Sequence, residues 1–225
     1  MLRVHFDHQM EILKEDLLRL GSMVELALNR AIKSLATGDR VIASWIIEDD
    51  LQINYARYSV EEQAITLLAT RQPVAKDLRF LSVVTAIAVE LERIGDYASV
   101  IARRIERIST RKSQLTPPAL LHEMSMLTLS MLHTSLEAFL HQDRVLAYDL
   151  EHNGNRVYEY EGILRSKLID VARSRPEHIE TVVDLLDVIH ALERIADRAV
   201  NIGERVIYLV TSVVEESGSP HYCAA

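Results

Sequence analysis

The sequence predicts an all-α protein made of two pseudo-symmetric three-helix bundles, on three observations. Apolar residues recur at helical spacing almost throughout, turn-forming residues are scarce, and one fifteen-residue segment occurs twice. Of 225 residues only seven are Gly and five are Pro, whereas a sheet protein needs turn residues roughly every 8–12 positions. A hydrophobic content of 48% supplies a core for one large domain or for two of about 100 residues.

Each helix follows from its own pattern. Met10, Leu13, Leu17, Leu20, Val24, Leu28, Ile32 and Leu35 form one stripe, and Thr37-Gly38-Asp39 stops that helix and caps the next. A second helix is expected from about Arg40 to Arg71, where Gln72-Pro73 breaks it, because Pro suits the first turn of a new helix. The third runs on to about Ser109. Thr116-Pro117-Pro118 closes the stretch that follows and marks the boundary between halves. The halves are therefore set at residues 1–113 and 114–215, with 216–225 as a flexible tail. In the second half a helix from about Ala119 to His141 leads into Gln142-Asp143-Arg144-Val145, echoing Gly38-Asp39-Arg40-Val41. A fifth helix runs to Arg173, where Ser174-Arg175-Pro176 takes the part of Gln72-Pro73, and a sixth carries on to about Val214. Short connections make neighbouring helices antiparallel within each half.

The repeat is explicit near the end of each half. LERIGDYASVIARRI from Leu91 aligns without gaps to LERIADRAVNIGERV from Leu192, with eight of fifteen positions identical against about one by chance. An ancient duplication accounts for it.

Composition narrows the function classes. The net charge of −8 argues against nucleic acid as a ligand, since phosphate backbones are held by surplus Lys and Arg. Cys223 is the single cysteine, so no internal disulfide forms, in keeping with a reducing cytosol. The first residues carry charges and no apolar signal core, and the longest apolar run, Phe80–Val89, is about half a membrane span. A cytoplasmic protein that meets a membrane only through partners is expected. Catalytic motifs are missing from the sequence: it has no phosphate-binding Gly loop, no nucleophile motif, and no Glu-x-x-His of the di-iron oxidases.

The repeat does carry paired carboxylates. Glu92 and Asp96 stand four apart, as do Glu193 and Asp197, which puts each pair on one helical face. The apolar stripe Leu91, Ile94, Ala98, Ile101, Ile105 is centred roughly 150° away, so the carboxylates point out of their own core. Such like-charge pairs cost about 0.2–0.5 kcal/mol, and neither Glu has a Lys or Arg three or four positions away, although His190 stands beside Glu193. A site for a hard or borderline cation and a solvated or salt-bridged face both account for this pattern. Asp50 and Asn54 on the second helix offer oxygen donors at the same spacing, and antiparallel packing brings that helix beside Glu92 and Asp96. The corresponding second-half region, Glu151 to Asn155, has Asn where paired carboxylates are wanted. Asp187 and His190 lie on adjoining parts of the sixth helix, and His190, Glu193 and Asp197 share an arc of about 60°. Trp45 and Tyr55 read as packing residues, the stretch Met124, Met126, Met131 as core, and Asp77 as the acidic residue of a helix's first turn.

Arg71-Gln72-Pro73 followed by Asp77-Leu78-Arg79, then LERIGD, LERIAD and Tyr158-Glu159-Tyr160-Glu161-Gly162-Ile163, resemble the PhoU family in order and spacing over about residues 5–213. The resemblance implies two three-helix bundles, often dimeric, and E(D)-x-x-x-D motifs that bind clusters of iron, zinc or other divalent cations. Carried over by match, Glu92, Asp96, Glu193 and Asp197 take that role, with Asp50 and Asn54 as the first-half partner motif. Iron, zinc, manganese or magnesium is the expected ion, in divalent or trivalent form. Ala196 replaces the second Gly of the motif. The implied role is a non-enzymatic negative regulator of phosphate uptake and starvation signalling. Its expected partners are the ATPase subunit of the phosphate ABC transporter, the membrane sensor histidine kinase, and a second copy of the chain. The rival readings are a metal store or metal-dependent enzyme using the carboxylate pairs, and a PhoU-like paralogue serving another phosphate transporter.

Overall fold

The computed structural model of the chain describes residues 2–71, 73–111 and 115–214, with side chains from residue 4 onward. Six helices follow in order: α1 (Leu2–Thr37), α2 (Arg40–Arg71), α3 (Ala75–Ser109), α4 (Ala119–His141), α5 (Arg144–Ser174) and α6 (Ile179–Thr211). They form two three-helix bundles, α1–α3 and α4–α6. The tail assigned to residues 216–225 lies outside the described residues.

The echoed sequences at the first turn of each half adopt the same geometry. Gly38 closes α1 with φ of 69°, and Asp39 accepts hydrogen bonds from Val41 N at 2.9 Å and Ile42 N at 3.3 Å, capping α2. Gln142 closes α4 with φ of 50°, and Asp143 accepts from Val145 N at 2.7 Å and Leu146 N at 3.3 Å. Gln in that left-handed region costs about 1 kcal/mol that Gly avoids. The two later turns differ from each other. Val74 is extended before α3, whereas Pro176–His178 forms a 3-10 turn before α6. The sixth helix therefore starts at Ile179, and it stops at Thr211, short of Val214, because Ser212 turns left-handed with φ of 68°.

α3 and α6 are the central elements. They bury 14 and 15 residues, against six on α2 and five on α5, which places α2 and α5 on the flanks. α3 packs on α6 as closely as either packs within its own half, and α1 also meets α4. Neither α2 nor α5 touches the other half among the described residues. One continuous hydrophobic core results, running from Phe6 to Ile207 through both bundles.

Several apolar residues lie outside that core. Trp45 is 50% exposed and Tyr55 66%, so neither is a packing residue as expected. Both occupy the flank of α2 turned away from Ala43, Ile46 and Ile53, where a helix with apolar residues on two faces cannot bury both. Met124 and Met131 are buried, but Met126 is exposed.

Candidate functional site

The carboxylates occupy two equivalent grooves, one between α2 and α3, the other between α5 and α6. In the first, burial of Leu91, Ile94, Ala98 and Ile101 leaves Glu92 half-buried and Asp96 exposed on the side of α3 that meets α2. Gly95 makes that meeting close: a Cβ there would stand 3.1 Å from Ile53 Cδ1. Asp50 is thereby brought to α3, where Ser99 Oγ donates to its Oδ1 at 3.0 Å. Asn54 instead turns back on its own helix, its Nδ2 donating to the Asp50 carbonyl at 3.3 Å. Burial, then the charges of Glu92 and Asp50, hold the Asp96 carboxyl above the usual carboxylate range.

The same groove contains a cation that same-helix spacing does not reveal. Arg57 of α2 places Nη1 2.6 Å from Glu61 Oε2 and Nε 3.9 Å from Glu92 Oε1. Glu92 is not left unrelieved: its counter-charge comes from the neighbouring helix. Burial lowers the Arg57 pKa, but the hydrogen bond to Glu61 and the charges of Glu61 and Glu92 outweigh it and raise it overall.

In the second groove His190 stands beside Glu193, Nδ1 to Oε2 at 2.9 Å, and Arg194 Nη1 lies 2.8 Å from Asp197 Oδ2. Glu193 is pushed up by burial and by Asp197, against the opposing pull of His190 and Arg194. Tyr158 and Glu161 of α5 also belong here, on a different helix from the one whose carboxylate spacing marks the groove. Burial, then the charges of Glu193, Glu161 and Asp197, push the Tyr158 phenol up. Asp187 does not join this face; it pairs with Arg104 Nε at 3.0 Å.

The register between halves places both residues. Ala43, Ile46, Ile53, Val60 and Ala64 of α2 are buried as are Ala147, Leu150, Val157, Leu164 and Leu168 of α5, each 104 residues after its counterpart. On that register Gly154 and Tyr158 stand where Asp50 and Asn54 do, not a pair of Asn. Comparing α2 with α5 by their buried positions finds Tyr158 and Glu161; comparing their acidic residues does not.

The oxygen donors of both grooves suit a hard cation in chemistry. Their arrangement is not a ready ligand set: among the described residues no three His, Cys, Asp or Glu side chains gather closely enough to hold a metal ion.

A separate cluster joins the halves. The carboxylate of Asp184, 1% exposed on α6, is met by Arg111 Nη2 at 2.6 Å, Arg107 Nη1 at 3.4 Å and Arg104 Nη1 at 3.5 Å. Those arginines come from α3 and the residues just after it. Nothing in the helical periodicity of α6 set Asp184 apart, because a buried charge is recognised by what surrounds it.

Comparison with known proteins agrees with this architecture. The PhoU domain family matches residues 17–105 and 121–206, one match per bundle. The chain belongs to the PhoU family. Relatives include the phosphate-specific transport system accessory protein PhoU homolog of Pseudomonas aeruginosa, 33% identical over 206 residues, covering 91% of this chain and 85% of the relative. PhoU of Escherichia coli strain K12 is also 33% identical, over 207 residues with the same coverage. Among solved structures, PhoU from Pseudomonas aeruginosa superposes with a TM-score of 0.90 at 31% identity, covering 92% of this chain and all of that one. The regulatory protein PhoU from Streptococcus pneumoniae gives 0.88 at 31% identity, covering 94% of this chain and all of its own. Family membership thus extends over both PhoU repeats.

Proposed function

We propose that this chain is a non-enzymatic negative regulator of phosphate uptake and phosphate-starvation signalling, working in the cytoplasm as an adaptor. Its partners in this reading are the ATPase subunit of a phosphate ABC transporter, a membrane sensor histidine kinase, and a second copy of itself. The match along nearly the whole chain, both repeats included, to proteins named for phosphate-transport regulation carries the reading. Two observations support it. No helix among the described residues is long and apolar enough to cross a membrane, so contact with a transporter would run through partner surfaces. The exposed apolar residues on the flank of α2, Trp45, Leu51, Tyr55 and Tyr58, offer such a surface.

The family also implies metal. Donor chemistry here fits and the assembled geometry does not, since Arg57 stands against Glu92 and Arg194 against Asp197. No part of the regulatory role is therefore routed through a metal ion.

Deleting the gene in its native host and assaying alkaline phosphatase in phosphate-rich medium tests the reading. Constitutive expression, returned to normal by the wild-type gene, is the expected result. A reporter that stays tightly repressed after deletion rejects a role in this signalling for the chain and favours service to another phosphate transporter.

A further inference from the structure

The two halves keep the same intrahelical ion pair with its charges exchanged. On the register set by the buried residues, Arg57 corresponds to Glu161 and Glu61 to Arg165. Arg57 bonds Glu61 at 2.6 Å, and Arg165 Nε donates to Glu161 Oε1 at 2.6 Å, so both pairs are formed. The inner member differs: in the first half it is Arg57, with a side chain 15% exposed, and in the second it is Glu161, at 14%. The inner member of the pair is thus a guanidinium in one half, within 3.9 Å of Glu92, and a carboxylate in the other.

Arg57 has a further feature that the Glu61 pair does not explain. Its Nε is buried with no hydrogen-bond partner and lies 3.9 Å from Glu92 Oε1. A buried donor without an acceptor is costly, and the Coulomb attraction of Glu61 and Glu92 is what offsets that cost at this position. On α3 the arginine that matches Arg194 gives no help, because Arg93 turns to Glu90 at 3.6 Å. Among the described residues Arg57 is the cation within ion-pair reach of Glu92, whereas Asp96 feels the charges of Arg103 and Arg57 more weakly than burial and the carboxylates of Glu92 and Asp50. In the second half the positive charges come from α6 itself, as His190 and Arg194.

We propose that Arg57 is the resident counter-cation of the first carboxylate face, supplied from the neighbouring helix where the second face draws its positive charge from α6 itself, so that the first face holds no divalent cation while the guanidinium is present. The first face takes up a divalent ion only when the guanidinium is removed. This inference stands apart from the regulatory role and survives its failure.

The test uses the full chain with the second face neutralised by Glu193→Gln and Asp197→Asn, and Mn2+ as the probe, its free fraction read by electron paramagnetic resonance. In that background the first face should leave Mn2+ free. Adding Arg57→Gln should tighten binding at the first face by about tenfold or more, as removal of one adjacent positive charge implies. Glu92→Gln with Asp96→Asn should then abolish the gain. Arg57→Met, which keeps the unbranched apolar stem, is read in the same way if the Gln variant does not fold. Mn2+ uptake by the background itself that disappears with Glu92→Gln and Asp96→Asn overturns the proposal. So does an Arg57 variant with unchanged helical circular dichroism that gains no binding.

Discussion

Asp96 is ionised against resistance. Burial and the charges of Glu92 and Asp50 raise its folded-state pKa, so the native protein holds that proton more tightly than the unfolded chain does. Between about pH 4 and the raised value the folded state binds more protons, and stability falls as pH rises through that window. The deficit persists at neutral pH. Asp96→Asn should therefore raise the thermal midpoint at pH 7, by the equivalent of up to about 0.5 kcal/mol for an exposed group, and give no gain at pH 3. A gain of equal size at both pH values would show that charge is not its cause. The carboxylates themselves were legible, since Glu92, Asp96, Glu193 and Asp197 recur at one spacing in both repeats. Arg57 and Tyr158 were not, because each meets those carboxylates across a groove from a different helix.

Helix contacts depend on where the small residues fall, and the repeats solve this differently. Gly95 lets Ile53 onto α3, while its counterpart is Ala196; conversely Ala102 has Gly203 as its counterpart on α6. At Gly203 a Cβ would meet Leu150 Cδ1 at 2.8 Å and the Ala147 carbonyl oxygen at 3.1 Å, so α5 and α6 approach through that position. Gly203→Ala should lower stability by about 1–3 kcal/mol, since backbone as well as side chain must yield. Gly162→Ala on the same α5 should raise it by up to about 1 kcal/mol, because nothing lies within 4 Å of the new methyl and helix propensity improves. Thermal unfolding of the two variants checks both signs at once. Helix ends were legible where a capping Asp or a Pro announces them, as at Asp39 and Pro73. The end of α6 at Thr211 has no such mark, and Ser212 adopts a conformation that its identity does not announce.

Taken whole, the molecule has two repeats but one core. Because α3 packs on α6 along that core, unfolding in urea should be a single transition, with calorimetric and van't Hoff enthalpies agreeing. Two resolved transitions would show that the bundles are energetically separate. Asp184→Asn tests what holds them in register. It leaves Arg104, Arg107 and Arg111 without their shared buried carboxylate, and should lower stability by about 3 kcal/mol without splitting the transition. Duplication and six helices were visible in the sequence because the helical period and LERI(G/A)D survive in each half. The arginine clasp was not visible, since it joins residues some 70 to 80 positions apart.

By itself the sequence determined the class of fold, the count and bounds of most helices, the duplication and the paired carboxylates. All of these depend on residues within one or two helical turns of each other, where periodicity and caps act directly. Tertiary structure decided which helices lie at the centre, which aromatic residues are left exposed, and what each carboxylate meets. The charge around Glu92 or Glu193 is a sum over neighbouring helices, and Coulomb interaction follows distance in space rather than separation along the chain.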